Sequence, residues 1–278
     1  MDFVKTLKQV VDEYSLMAKK ALGQNFLLDQ NVTDKIVRLS LEKQKLDNFK
    51  DFNVLEIGPG PGGLTRAVLK MNPKSLSVIE MDERCIQIMH ELEAQTAVPM
   101  KILNGDALKI ELSSLKLNNL QIVSNLPYNV SVPLLTKWLE DIDEVFAMTL
   151  MFQKEVADRI CAPIKTKDYG RLSVLVQLLC QIEKLWTLSP EYFVPAPKVH
   201  SSILLFKPLT DRPPQEVIKK VEKLTMMAFS QRRKMIRQSL KSVPNIEKIC
   251  FDANVSLTAR AEEIMPQQYL MMAKNVFF

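Results

Sequence analysis

Asn125-Leu126-Pro127-Tyr128 follows directly on the apolar run Gln121-Ile122-Val123-Ser124. An amide, a proline that stiffens the backbone and an aromatic ring therefore stand where a strand is expected to end. In an open α/β sheet, ligands bind at the carboxyl ends of the strands. The Asn125 side-chain oxygen and the Leu126 carbonyl can accept the two hydrogens of an exocyclic amine, while the Tyr128 ring can stack on the attached base. These four residues suggest an amine on a base and leave open what reacts with it.

A second constellation supplies a candidate reagent. Gly58, Gly60 and Gly63 fit the dinucleotide pattern G-x-G-x-x-G, and Gly58, Gly60 and Gly62 fit the G-x-G-x-G of methyl-donor enzymes. Both patterns use missing side chains to bring a nucleotide-like ligand close to the backbone. Glu80, at the end of the next expected strand, can accept ribose hydroxyl hydrogens under either pattern. Two further acids shift the balance. Glu56 lies two residues before the glycines, and Asp106, in Asn104-Gly105-Asp106-Ala107, is placed to accept from an adenine amino group. An acid-rich pocket suits S-adenosylmethionine, which carries a sulfonium and an ammonium, and would repel the pyrophosphate of a nicotinamide dinucleotide.

The elements that must position these residues follow from periodicity. Residues 1–22 are expected to form an amphipathic helix with Val4, Leu7, Val11, Tyr14 and Met17 or Ala18 on one side. A glycine-led turn, Gly23–Asp29, comes next, then a helix capped near Asn31–Asp34. Strands are expected at Asn53–Ile57, Leu76–Glu80, Lys101–Leu103, Leu120–Ser124 and Val145–Met151. Helices are expected from near Leu64, from Asp82 to about Leu92, and over Val132–Leu139. This alternation predicts a doubly wound, mostly parallel sheet covered on both faces. A helix through Ile160, a helix Leu172–Cys180 and strands Ile182–Leu188 and Ser201–Phe206 follow, with a proline-rich link, Pro190–Lys198, between those strands. Pro208–Pro214 holds three prolines and reads as a boundary between residues 1–210 and a small helical domain, residues 211–278. Met226, Phe229, Ile236 and Leu240 are expected to form the buried stripe of that domain's first helix or helix pair.

Composition narrows the class. With 47% apolar and 25% charged residues over 278, the chain reads as a soluble globular protein. No apolar run is long enough to span a membrane, and the N-terminus resembles neither a signal nor a transit peptide, so a cytoplasmic location is expected. The four cysteines are scattered without metal-ligand spacing, and neither histidine completes a Cys/His or Ser/His set. No metal is expected. Residues 1–210 hold 25 basic and 25 acidic side chains, whereas residues 211–278 hold 12 and 7, so the whole net charge of +5 lies in the last quarter. That excess points to a polyanionic partner. Arg232, Arg233, Lys234, Arg237 and Lys241 form a basic stretch without an intervening acid, suited to RNA phosphates. Arg233, Arg237 and Lys241 share one side if the segment is helical.

Gly23-Gln24-Asn25-Phe26-Leu27, Glu56-Ile57-Gly58-Pro59-Gly60, Asn125-Leu126-Pro127-Tyr128-Asn129 and Gln153-Lys154-Glu155-Val156 resemble the ribosomal RNA adenine N6,N6-dimethyltransferase family. So do Tyr169-Gly170-Arg171-Leu172-Ser173, Phe193-Val194-Pro195-Ala196-Pro197-Lys198-Val199 and Gln231-Arg232-Arg233-Lys234. The resemblance runs from about residue 19 to about residue 274. It implies a Rossmann-like S-adenosylmethionine-dependent methyltransferase fold with a small all-helical C-terminal domain. It also implies dimethylation of two adjacent adenosines near the 3′ end of small-subunit (16S) rRNA. Asn25, Leu27, Gly58, Glu80, Asp106 and Asn125 would line the S-adenosylmethionine site. The target adenine would lie against Asn125, Leu126, Pro127 and Tyr128, with Phe193 a candidate for its other side. The expected partner is rRNA in an immature small subunit, met by a monomer.

Other readings keep part of this. Large-subunit adenine methylases of the erythromycin-resistance type share the Gly23–Leu27 and Asn-x-Pro-Tyr patterns, although Leu126 and Gln231–Lys234 look more like the small-subunit enzymes. An RNA-binding assembly factor or transcription cofactor could use the same fold with methylation secondary. A nicotinamide oxidoreductase fits least.

Overall fold

In the computed structural model, residues 3–16 and 25–276 are described. In chain order the elements are α1 (Leu7–Glu13), β1 (Phe26–Leu27), α2 (Gln30–Gln44), β2 (Asn53–Ile57), α3 (Gly63–Lys70), β3 (Ser75–Glu80), α4 (Glu83–Glu93), β4 (Met100–Asn104), α5 (Leu112–Leu115), β5 (Leu120–Ser124), α6 (Tyr128–Glu140) and β6 (Val145–Gln153). There follow α7 (Lys154–Ile160), α8 (Arg171–Leu179), β7 (Cys180–Leu188), β8 (Phe193–Val194), β9 (Ser201–Pro208), α9 (Gln215–Ser230), α10 (Ile236–Ser239), α11 (Ile246–Asp252) and α12 (Pro266–Lys274).

Seven strands form one sheet in the order β4-β3-β2-β5-β6-β9-β7. The pairs from β4 through β6 are parallel and β9 runs antiparallel to β6. All five residues of β2 and of β5 are buried, as expected of central strands covered on both faces. Val54, Leu55, Leu76, Val78, Ile122 and Val123 are each fully buried, and each such side chain stabilises the fold by about 1.5–3 kcal/mol. Chain order reverses between β2 and β5, so their carboxyl ends open a crevice where the first crossover turns one way and the next turns the other. Ser124 Oγ donates to the Ile57 carbonyl at 2.7 Å, holding those two strand ends together. Asp29 and Asp82 cap α2 and α4 by accepting from Asn31 and Arg84 backbone N–H groups.

The chain divides into two compact units, Met1–Lys154 with Glu183–Lys207, and Glu155–Ile182 with Pro208–Phe278. The last cut, after Lys207, falls close to the expected boundary at 210/211, but the second unit also takes in a segment assigned by sequence to the first. The cause is α8, whose Val174, Leu175, Val176, Leu178 and Leu179 are buried and which packs on α9 and α12. Within this unit the rings of Tyr169, Phe229 and Tyr269 stand in a row with successive centroids 6.1 Å apart. The Tyr169 and Tyr269 hydroxyls donate to the Ile264 and Ala261 carbonyls, so neither is left unsatisfied by burial.

Other expectations need correction. The N-terminal helix covers only Leu7–Glu13, opened by a Thr6–Gln9 capping box, and Val4 is exposed rather than on a buried side. Met17, Ala18, Gly23 and Gln24 lie outside the described residues. Helix α6 starts at Tyr128, four residues before the expected Val132, so Pro133 lies inside it and removes the bond its N–H would have made to the Asn129 carbonyl. The proline-rich link contains β8, which pairs antiparallel with β1 (Phe26↔Val194, Leu27↔Phe193). Met226 is exposed and Phe229 only half-buried, the buried face of α9 being Ile218, Val221, Leu224, Thr225 and Ala228.

The basic stretch is not a continuous helix. Gln231–Lys234 is a turn and only Ile236–Ser239 is helical. The Ile236 and Arg237 N–H groups donate to Ala259 and Leu257 carbonyls, and Met235 bridges to Arg260, so tertiary partners replace the i−4 carbonyls a helix would use. The fourfold spacing of Arg233, Arg237 and Lys241 therefore does not place them on one helical face.

Candidate cofactor and active site

Asn25, Leu27, Gly58, Glu80, Asp106, Asn125, Leu126, Pro127 and Tyr128 all line a single cavity of about 300 Å³ in the first unit. Backbone geometry brings them there. The loop after β2 turns through Gly58 and Gly60 with φ of +63° and +55°, a left-handed conformation that favours glycine. A Cβ on Gly60 would come within 2.9 Å of the Phe26 ring, so the loop backbone lies directly against β1. On the other side of the crevice Pro127 stands beside Gly58, at ordinary contact distance from where its Cβ would be.

The acids are held in different ways. Glu80, at the end of β3, accepts from the Met81, Asp82 and Gly60 backbone N–H groups at 2.7, 2.9 and 3.4 Å. Burial raises its pKa and those three bonds work against the rise. Glu56 is 2% exposed and accepts from Thr65 Oγ1 at 2.7 Å. Burial pushes it up to about 8, the Thr65 bond opposing this and the nearby Glu80 reinforcing it. Asp106 accepts from Leu108 N–H at 3.0 Å, capping a single 3-10 turn. Glu56, Glu80 and Asp106 thus line one cavity, and no Lys or Arg among the described residues does. That donor set suits a ligand carrying positive charge beside hydroxyls and an amine. It is hostile to a pyrophosphate, which counts against the dinucleotide reading of the glycine loop.

At the end of β5, Asn125 Nδ2 donates to the Asn25 carbonyl at 3.1 Å, which leaves Oδ1 as the amide atom available to accept from an amine. Leu126 is buried, and Tyr128 is the first residue of α6, half-buried, with its hydroxyl 2.6 Å from Ser201 Oγ. Phe193 is not among the cavity residues. It is 2% exposed, paired with the cavity residue Leu27 across the β1–β8 ribbon, and packed in the core.

In the second unit Arg233, Lys234, Arg237 and Lys241 are exposed. Arg232 is engaged within the fold: Nε lies 2.5 Å from Glu262 Oε2, and a terminal nitrogen donates to the Thr166 carbonyl at 2.9 Å. The stretch lacks an acid in sequence, but the fold supplies one. Sequence reasoning also missed Thr65, Ser124 and Ser201 as partners of site residues. Phe26 carried a signal, lying inside the Asn25–Leu27 motif. Ser201, 73 residues from Tyr128, carried none.

A family model described as ribosomal RNA adenine dimethylase matches residues 16–276. The chain belongs to that family. This dimethylase-family chain is 42% identical over 280 residues to "Ribosomal RNA small subunit methyltransferase A" of Cereibacter sphaeroides, covering 99% of this chain and 98% of that one. It is equally 42% identical, over 265 residues and 95% of each chain, to the protein of the same name from Wolbachia sp. subsp. Drosophila simulans. Among solved structures, a dimethyladenosine transferase from Plasmodium falciparum superposes with TM-score 0.72 at 24% identity, over 90% of this chain and 98% of that one. The 23S rRNA methyltransferase ErmE superposes with TM-score 0.67 at 24% identity, over 91% and 99%. The fold is the α/β fold of the S-adenosylmethionine-dependent methyltransferases with a helical C-terminal part, as expected from the sequence.

Proposed function

We propose that this protein transfers methyl groups from S-adenosylmethionine to N6 of two adjacent adenosines near the 3′ end of small-subunit (16S) rRNA, giving N6,N6-dimethyladenosine during small-subunit biogenesis. The observation that carries the reading is the position of Asn125: its amide is oriented by the Asn25 carbonyl, at a strand end, in a cavity lined by three carboxylates.

The residues present fit S-adenosylmethionine. Glu80 would take the ribose hydroxyls, Asp106 the adenine amine, and Asn25, Leu27 and Gly58 the remaining walls. Glu56 adds a buried carboxyl, raised to about 8 in the ligand-free protein, whose charged form a nearby cationic portion would favour. When bound, the cofactor supplies an electrophilic methyl group on a sulfonium, a good leaving group.

The protein's own contribution lies mainly in alignment. An adenine N6 lone pair is delocalised into the ring and is a weak nucleophile. If Asn125 Oδ1 and the Leu126 carbonyl accept its hydrogens, two before the first transfer and one before the second, N6 gains electron density and can pyramidalise, and it releases one proton to solvent for each methyl gained. Pro127 stiffens the backbone between those acceptors and Tyr128, which stacks on the base at about 1–3 kcal/mol. Holding reactants in near-attack geometry is itself a large source of rate enhancement. No metal enters this scheme.

The base must leave its stack to be reached, so a loop or flipped nucleotide is the substrate. Arg233, Lys234, Arg237 and Lys241 supply phosphate contacts in the second unit, and the protein acts as a monomer on an immature small subunit. Incubation with labelled S-adenosylmethionine and separately purified immature small and large ribosomal subunits tests the reading. Label is expected on the small-subunit RNA. Label only on large-subunit RNA would move the substrate to the erythromycin-resistance type, and label on neither would favour a binding factor.

A further inference from the structure

We infer that Ser201 is a positioning residue for methyl transfer, fixing where the Tyr128 ring stands without itself touching the base. The inference rests on the reading of Tyr128 as the group that stacks on the target adenine. Tyr128 leaves the backbone at the first turn of α6 and is one of the residues lining the cavity. Two side-chain bonds separate that ring from the backbone, so the helix alone leaves it free to turn. The far end of the ring is tied: the phenol oxygen and Ser201 Oγ lie 2.6 Å apart.

Ser201 is well suited to be the fixed partner. It is fully buried, and it opens β9 opposite Gln153 of β6. The next residue is held too, Ser202 Oγ lying 3.1 Å from Thr187 Oγ1. The serine thus sits on a strand of the main sheet while the tyrosine sits on a helix, and the hydrogen bond, made on the axis of the ring, anchors its far end and keeps the side chain from swinging about its first bond. A stacking platform held in one place presents a base at one position, and small errors in the placement of reacting atoms are costly. Burial raises the Tyr128 pKa while the Ser201 bond opposes that rise, so the ring remains a neutral phenol at working pH.

The consequence falls on turnover rather than on RNA capture, because phosphate contacts dominate RNA affinity. Ser201→Ala is expected to lower kcat about three- to tenfold, the range of one lost hydrogen bond. KM for RNA and Kd for S-adenosylmethionine should stay unchanged. Tyr128→Phe, which keeps the ring and removes the hydroxyl, should give the same loss, and the double variant should be no worse than either single one. Ser201→Thr retains the hydroxyl and should keep activity.

A readout independent of catalysis completes the test. The chain has five tyrosines, so uniformly labelled tyrosine gives a spectrum in which Tyr128 is assigned by its absence in Tyr128→Phe. Couplings across the first side-chain bond of Tyr128 should report one rotamer in the wild type and in Ser201→Thr, and averaged rotamers in Ser201→Ala. A single unchanged rotamer in Ser201→Ala, wild-type kcat in that variant, or multiplicative losses in the double variant would each overturn the inference. If the wild type methylates no RNA, the dimethylase reading fails, while the rotamer comparison still decides whether Ser201 holds the ring.

Discussion

Glu56→Gln isolates the electrostatic character of the cavity. Glu56 is buried at 2% exposure, bonded to Thr65 Oγ1 and facing Glu80. Burial carries its carboxyl from 4.5 in a free side chain to about 8. At 1.36 kcal/mol per pKa unit this gap sets a ceiling of about 5 kcal/mol. The sign follows from proton binding. The unfolded chain releases this proton near 4.5 and the folded chain near 8. Between those values the folded state holds more protons, and its stability falls as pH rises. The stabilising contribution is fully present below about 4.5 and lost once pH passes about 8. Glutamine keeps an oxygen for the Thr65 hydroxyl and carries no charge at any pH. Urea unfolding of the ligand-free protein should therefore show Glu56→Gln gaining on the wild type by several kcal/mol between pH 5 and 9, up to that ceiling of about 5. Glu80, also raised, contributes a slope of the same sign to both proteins, and its coupling to Glu56 forms part of the difference. A stability difference that stays flat across that range would refute the picture of a carboxyl held neutral by its surroundings.

Other outcomes are expected at the remaining groups. Asn125→Ala should reduce methyl transfer by about a hundredfold or more, the scale of losing one preorganised polar group, while filter binding of RNA stays nearly intact; full activity would remove the amine-acceptor role. Gly60→Ala places a Cβ 2.9 Å from the Phe26 ring at φ +55°, so it should cost about 1–2 kcal/mol in thermal unfolding and weaken S-adenosylmethionine binding measured by calorimetry. Arg232→Ala should lower unfolding free energy by about 1–2 kcal/mol, because Arg232 joins Glu262 and Thr166. Removing Arg233, Lys234, Arg237 and Lys241 should leave the unfolding midpoint in place and flatten the salt dependence of RNA binding, by about 0.7–0.9 in slope for each phosphate no longer neutralised.

Much of the first unit was legible because its strands are short apolar runs bounded by glycine or acids. Leu120–Ser124 has the limits expected from sequence, and the cavity residues fall at the ends of β2, β3, β4 and β5, where a doubly wound sheet must place a ligand. The second unit was harder. Fourfold charge spacing around Arg233 suggests a helix, but the Ile236 and Arg237 N–H groups bond to Ala259 and Leu257 carbonyls, distant in sequence, which no local pattern reveals. Glu262 and Ser201 escaped for the same reason, each completing a site residue through tertiary contact alone. Phe193 lies within a recognisable motif, yet its burial against Leu27 is set by the pairing of β1 with β8.

The central claim is most directly tested by digesting small-subunit RNA after reaction with S-adenosylmethionine, then identifying the modified nucleoside and its position by mass spectrometry. Wild-type protein should give N6,N6-dimethyladenosine at two adjacent adenosines near the 3′ end, and Asn125→Ala should leave adenosine unmodified at both. Methylation of any other base or atom, or dimethyladenosine formed equally well by Asn125→Ala, would contradict it.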